Sequence, residues 1–350
     1  MSVFTAPDFD GHENVVFGCD EATGLKCIIA IHNTNRGPAL GGSRFWNYDN
    51  EQDAVTDVLR LSKGMTYKAA VADLDLGGGK SVIIGDAKKI KTPDLMRAFG
   101  RVIERLNGKY ITAEDVGTTV TDMDYIREST RHVRGKSTGS GNPSPLTALG
   151  VFLGLKAAVK HQLKTDDLTG LHIAVQGVGN VGYYLCKYLH EAGAKLVVCD
   201  INKTSLQRVE NEFSAQIVGL DDIYSQAVDV YAPCALGATV NDQTIEQFKT
   251  TIIAGAANNQ LAQDHHGEAL KEMGVLYAPD YVINAGGLIN VAHETEDYDV
   301  EIVKAKISKI YDTLLEIFQR SDKQNLPPSI IADHMAEERF KGPFEAQAAE

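Results

Sequence analysis

The feature that most constrains the fold lies in the middle of the chain, where Gly177, Gly179 and Gly182 stand in the spacing G-x-G-x-x-G. An apolar run, Leu171 to Gln176, precedes them, and the stretch that follows places Val181, Leu185 and Leu189 on one helical face. A second apolar run, Lys195 to Cys199, ends in Asp200. The pattern predicts strand, tight turn, helix and strand, both strands apolar as buried parallel strands are. The first glycine permits the turn, the second lets a pyrophosphate approach the backbone, and the third lets helix and strand pack closely. Asn180 and Val181 complete the fingerprint at the positive helix N-terminus, where phosphates bind. Asp200 is placed to bind both ribose hydroxyls of NAD and to repel the extra phosphate of NADP. A lone glycine turn is weak support for nucleotide binding. Here the flanking strands, helix and terminal acid are all in register.

The 350 residues, 43% hydrophobic and 23% charged, suit a two-domain globular protein. The dense Gly, Ser and Pro stretch from Arg134 to Pro145 is the clearest linker and predicts neither helix nor strand. It separates a first α/β domain, residues 1–134, from a doubly wound Rossmann domain, residues 135–327. Residues 328–350, after Pro327-Pro328, are expected to return to the first domain. Strand-like runs occur at Lys26 to His32, Lys68 to Leu74 and Lys80 to Ile84 before the linker. Val228 to Tyr231, Thr251 to Ala254 and Gly274 to Tyr277 follow the glycine unit at doubly wound intervals. Val303, Ile307, Ile310, Leu314 and Ile317 form the apolar stripe of a late helix. A net charge of -13 argues against a nucleic-acid surface. No run suggests a membrane span or signal peptide, so a cytoplasmic protein is expected. Five scattered cysteines without C-x-x-C spacing indicate neither a disulfide framework nor a zinc site.

In the first domain the most unusual sequence is Leu74-Asp-Leu-Gly-Gly-Gly-Lys80-Ser. It is not a phosphate loop: the glycine required five positions before Gly79 is Leu74, and Asp73 and Asp75 would repel a phosphate. Three adjacent glycines instead suggest close approach to the backbone. A strand, a glycine turn and a return strand could bring Lys68 and Lys80 together. One amine would then hold a substrate carboxylate, and the other would serve as general base. Both could equally be surface lysines. Asp115 could be a loop acid before a helix capped by Thr118 or Thr119, or a proton relay to Lys80.

The segments GPALGGSRFW (Gly37 to Trp46), KGMTYKAAVADLDLGGGKSVI (Lys63 to Ile83), TAEDVGTT (Thr112 to Thr119), GNPSPLTALGV (Gly141 to Val151), QGVGNVG (Gln176 to Gly182), PCALG (Pro233 to Gly237), AANNQL (Ala256 to Leu261) and PDYVINAGGLINV (Pro279 to Val291) closely resemble the Glu/Leu/Phe/Val amino-acid dehydrogenases. The resemblance spans nearly the whole chain. It implies NAD-dependent, reversible oxidative deamination of an L-amino acid to a 2-oxo acid and ammonia, in a cleft between a substrate domain and a nucleotide domain, within a homo-oligomer. By the same resemblance Lys68 would bind the substrate carboxylate, near backbone exposed by Gly41 and Gly42 and beside Met65. Lys80 would activate the water that attacks the imine, and Asp115 would exchange protons with the substrate nitrogen. Thr147, Asn258 and Asn284 would sit near the nicotinamide, Cys234 and Ala235 against the cofactor, and Asn259 near the substrate. No metal takes part in this chemistry, and no metal-ligand cluster is evident.

Side-chain preference rests on a few positions. Glutamate-type relatives carry lysine where this chain has Leu40, so a second substrate carboxylate would be buried unpaired here. Ala113 resembles the leucine type, whereas Leu288 is more like the phenylalanine type. Arg134 stands where a small polar residue is expected and should swing to solvent or else accept a polar substrate, and the loop to Gly141 is short. The reading is a branched-chain amino-acid dehydrogenase, with an aromatic amino-acid dehydrogenase or a noncatalytic NAD-binding protein as alternatives.

Overall fold

The computed structural model describes residues 3–135, 142–294 and 297–345, with backbone alone for 342–345. The chain forms two compact units: Met1–Gly141 with Asn290–Asp299 and Ala336–Glu350, and Asn142–Ile289 with Val300–Met335.

In the first unit, β1 (Asn14–Asp20), β2 (Leu25–Asn33), β3 (Ala39–Trp46), β4 (Gly77–Ile84) and β5 (Tyr110–Glu114) form a mixed sheet in the order β1-β2-β4-β3-β5. β1, β2 and β4 pair antiparallel, while β4, β3 and β5 are parallel. Side chains alternate between two buried faces. On one, Ile28, Ala30 and Val82 meet Ala54, Val58 and Leu59 of helix α1 (Glu51–Val71). On the other, Ile29, Ile31 and Ile83 meet Leu95, Phe99 and Ile103 of α3 (Pro93–Glu104), which follows the short α2 (Ala87–Ile90). Met123 and Ile126 of α4 (Val120–Arg127) join that core, and Thr119 caps α4 in a reciprocal capping box with Asp122.

Two sequence expectations need correction. The apolar run from Lys68 is the last turn of α1, not a strand. Ala69 and Ala70 favour helix, and Ala69, Ala70 and Val71 are buried at its end. Gly78 of β4 lies against Thr66, and Phe340 packs on Tyr67 with ring centroids 5.4 Å apart. Nor do the three glycines form a turn: Gly77, Gly78 and Gly79 open β4. A Cβ on Gly78 would collide with the Thr66 backbone nitrogen, and one on Gly79 would lie 2.8 Å from the Tyr110 ring. The glycines let helix and sheet approach until backbone meets backbone.

The second unit opens with α5 (Ser144–Leu163), so Ser144 and Pro145 belong to a helix rather than to the linker. Proline is tolerated in a first turn, where its missing N–H has no partner to lose. Residues 136–141 of the linker, including the short loop, lie outside the described residues. Then come β6 (His172–Gln176), α6 (Asn180–Glu191), β7 (Lys195–Cys199), α7 (Lys203–Phe213), β8 (Gln216–Ile217), β9 (Val230–Pro233) and β10 (Ile252–Ile253). α8 (His265–Glu272), β11 (Leu276–Tyr277), α9 (Asp280–Ile283), α10 (Gly286–Ala292), α11 (Val300–Gln324) and α12 (Pro328–Glu345) complete the chain. The six strands run parallel in the order β11-β10-β9-β6-β7-β8. This is the doubly wound order, with its reversal between β6 and β9. Val303, Ile307, Ile310, Leu314 and Ile317 are all buried along α11. Among the described residues, no helix is long and apolar enough to cross a membrane.

Candidate active site

In the first unit the chemistry gathers at the end of the parallel strands. Lys80 projects from β4 on the face that carries Val82, beneath α1, and is buried to 7% exposure. Asp115 follows β5, two strands away across β3. Their side chains nevertheless form an ion pair. Gly42 makes this possible. It stands opposite Ala113 in β3, and a Cβ there would lie 2.8 Å from the Asp115 Cβ and 2.7 Å from the Glu114 carbonyl oxygen. With no side chain at this point, the carboxylate reaches over the strand to the amine.

Asp115 is fixed by its own loop. Its N–H donates to Thr118 Oγ1 at 3.0 Å, and its Oδ1 accepts from the Val116 N–H at 2.7 Å. Behind it, Arg44 Nε lies 3.8 Å from Asp115 Oδ2, while Arg44 Nη1 donates to Asp57 Oδ2 at 2.8 Å and the Tyr48 hydroxyl donates to that oxygen at 2.7 Å. Burial by itself would push the Asp115 carboxyl up. Lys80, then Arg44 and the Val116 N–H outweigh it and hold the group below the usual carboxylate range. Arg44 was not marked by the sequence reading. Its signal is period-two spacing from Gly42, which puts both on the α1 face of β3.

The other first-unit candidates surround this pair unevenly. Lys68 is half-buried on α1, so the lysines belong to a helix packed on a strand rather than to two strands of a hairpin. Met65 Cγ lies 3.4 Å from where a Gly41 Cβ would stand, and the Gly79 carbonyl closes the other side. Leu40 and Ala113 are buried on neighbouring strands. The Arg134 N–H donates to the Thr112 carbonyl at 2.8 Å, next to Ala113. Its side chain is half-buried, not swung fully into solvent.

In the second unit the fingerprint occupies the reversal point of the sheet. The turn after β6 and the PCALG turn after β9 abut there: a Cβ on Gly177, whose φ is +91°, would lie 2.7 Å from the Ala235 Cβ, and one on Gly182 would strike the Gly177 carbonyl. Gly179 differs, with nothing within 4 Å of its missing Cβ. That open space lies at the N-terminus of α6, where no side chain caps the helix, so the N–H groups of Asn180 and Val181 face it. A pyrophosphate fits such a cradle. Asp200, half-buried at the end of β7, accepts the Val178 N–H at 2.7 Å and the Asn202 N–H at 2.7 Å, which orients its carboxylate beside the glycine turn. Cys234 is tied to β6 by donating its N–H to the Gln176 carbonyl at 2.7 Å.

The remaining second-unit candidates form two small sets. Asn284, buried after α9, donates from Nδ2 to the Ala256 carbonyl at 3.0 Å and to Asn258 Oδ1 at 2.7 Å, so these two asparagines act as one group. Asn259 is exposed beside them with φ +50°. Thr147 of α5 donates to the Pro143 carbonyl at 3.0 Å and meets the start of α10, where a Cβ on Gly287 would lie 2.7 Å from its Oγ1. Leu288 is half-buried on α10. Apart from these sets, Asp242, His265 and His266 each place one metal-type ligand atom within 4.8 Å of the others.

Residues 12–132 match the Glu/Leu/Phe/Val dehydrogenase dimerisation domain, and residues 139–203 and 198–324 match the Glutamate/Leucine/Phenylalanine/Valine dehydrogenase domain. The chain is 56% identical to leucine dehydrogenase of Bacillus subtilis (strain 168) over 97% of its length and 94% of that protein. It is 47% identical to valine dehydrogenase of Streptomyces virginiae over 95% of each. The crystal structure of L-tryptophan dehydrogenase from Nostoc punctiforme superposes with a TM-score of 0.86 at 47% identity, covering 95% of this chain and 96% of that one. An ion-paired lysine and aspartate, a glycine cradle at the reversal point of a doubly wound sheet and full-length similarity thus agree: the chain is an amino-acid dehydrogenase and belongs to the Glu/Leu/Phe/Val dehydrogenase family.

Proposed function

We propose that the protein catalyses NAD-dependent, reversible oxidative deamination of branched-chain L-amino acids, leucine, valine and isoleucine, to 2-oxo acids and ammonia. The observation that carries the reading is the Lys80–Asp115 ion pair in a sheet whose strands β3 and β5 bury apolar Leu40 and Ala113. Lys68 and the backbone at Gly41 and Gly42 would hold the substrate carboxylate. NAD, when bound on Gly177, Gly179 and Gly182, supplies the hydride acceptor, with Asp200 selecting it over NADP. Through the hydrogen bond they share, Asp115 would first take a proton from the Lys80 ammonium, leaving Nζ neutral to accept one from the water that attacks the imine carbon. Asp115 would then pass its proton to the substrate nitrogen, which leaves as ammonia. Thr147, Asn258 and Asn284 would orient the nicotinamide, with Cys234 and Ala235 against the cofactor and Asn259 near the substrate. Residues 1–134, with 328–350, would form the substrate domain and residues 135–327 the nucleotide domain. The reading includes a homo-oligomer, supported by the match to a dimerisation domain, and a cytoplasmic location.

A buried leucine at position 40 disfavours a dicarboxylic substrate, because that position offers the second carboxylate apolar surface rather than a cation. Leu288 and the similarity to L-tryptophan dehydrogenase favour aromatic substrates as the second reading. Initial rates of NAD and NADP reduction with leucine, valine, isoleucine, phenylalanine, tryptophan and glutamate decide between them. Highest kcat/KM on branched aliphatics with NAD is expected. Preference for aromatics would transfer the assignment to the second reading, and silence across the panel would leave a noncatalytic NAD-binding protein.

A further inference from the structure

The turn beyond β9 brings Asp242 to the adjacent His265 and His266 in the first turn of α8, with 24 positions between Asp242 and His266. Asp242 Oδ1 lies 2.9 Å from His266 Nε2 and 3.5 Å from His265 Nε2. The imidazole centroids lie 4.1 Å apart with the rings tilted at 37°, and one ligand atom from each of the three residues lies within 4.8 Å of the other two. A tetrahedral ion with bonds of about 2.1 Å needs its ligands about 3.4 Å apart. The His265 edge already has that length, and the His266 edge must open by about 0.5 Å from its hydrogen-bonded value.

His266 is also supported from behind. It is 2% exposed, and its Nδ1 lies 3.0 Å from the Gln263 nitrogen and 3.1 Å from the Gln263 carbonyl oxygen. Either tautomer is therefore held. With Nδ1 accepting the Gln263 N–H, Nε2–H donates to Asp242. With Nδ1–H donating to the Gln263 carbonyl, Nε2 offers its lone pair outward, the arrangement found behind metal-bound histidines. Asp242 and His265 are exposed, which leaves an approach for an ion and room for water as further ligands. Two imidazoles and one carboxylate suit a borderline transition ion better than magnesium or calcium.

We propose that Asp242, His265 and His266 form a binding site for one divalent transition ion of the zinc(II) class. The ion would tie the 238–242 turn to α8. That turn is bonded to the asparagine segment, since the Ala238 N–H donates to the Asn259 carbonyl at 2.6 Å and the Val240 N–H donates to the Gln260 carbonyl at 3.0 Å. The three residues belong to the second unit, whereas the Lys80–Asp115 pair belongs to the first.

The test is calorimetric titration of the metal-stripped full chain with zinc chloride, alongside His265→Gln and Asp242→Asn, exposed positions chosen because replacement spares the core. One ion per chain is expected to bind the parent protein with a micromolar Kd, and each variant should lose at least about tenfold in affinity. Absence of zinc binding to the parent, or a smaller loss in either variant, would overturn the three-ligand site.

Discussion

Lys80 extends from β4 and Asp115 from the loop after β5, and their side chains meet in an ion pair that helps hold the Asp115 carboxyl below its usual range. Replacing Lys80 with Ala should lower kcat by about 10²- to 10⁴-fold, the usual contribution of a positioned general base. NAD affinity, measured by fluorescence titration, should be unchanged, because the glycine cradle belongs to the other unit. Near-normal turnover would remove Lys80 from the mechanism. Arg44 acts one step further back. Its guanidinium contributes to the low Asp115 pKa, so Arg44→Gln should raise that pKa and move the acid limb of the kcat/KM profile to higher pH. A purely structural Arg44 would lower activity without moving the limb. The sequence offered Asp115 as a proton relay to Lys80 as one of two readings and could not choose between them, because the pairing depends on a strand order in which β3 separates β4 from β5.

At the scale of the element, the glycines are where secondary structure and chemistry are decided together. Gly42→Ala puts a methyl 2.8 Å from the Asp115 Cβ; kcat should fall at least about tenfold while thermal stability drops by about 1–3 kcal/mol, as overpacking usually costs. Full activity in that variant would mean the carboxylate need not cross β3. The βαβ unit makes a separate prediction: Asp200→Ser should shift the kcat/KM ratio of NAD to NADP toward NADP by about tenfold or more, and an unchanged ratio would strip Asp200 of its selecting role. This unit was the most legible part of the sequence, because its signal is local: strand, turn, helix, strand and acid follow one another. The segment from Lys68 to Gly79 was the least legible. Its apolar run and its glycines answer to contacts with Gly78, Thr66 and Phe340 that no local period encodes, so a helix end read as a strand and the start of a strand read as a turn.

Across the whole first unit, a buried histidine couples stability to acid. His32 bonds Thr66 Oγ1 at 2.8 Å and packs against His12 and Phe340. Burial and the neighbouring His12 push its pKa down to about 4 from 6.5. The unfolded chain binds this proton more readily than the folded one, so the stability held above pH 6.5 is lost as pH falls toward about 4, by about 3 kcal/mol in all. Urea midpoints measured across that range should fall steeply for the parent and more gently for His32→Gln; equal slopes would place the acid sensitivity elsewhere. The helix beside His32 leads to a different consequence. Arg339 donates to the carbonyls of Ala70 at 3.2 Å and Val71 at 2.6 Å, finishing the helix that carries Lys68, and the Tyr67 hydroxyl donates to Glu337 at 2.6 Å. Arg339 lies 269 residues after Ala70, so on the ribosome α1 cannot be closed until synthesis has passed residue 340. By then every strand of the doubly wound unit has already been made, and the unit that holds Lys80 and Asp115 completes its fold after the strands of the other are in place.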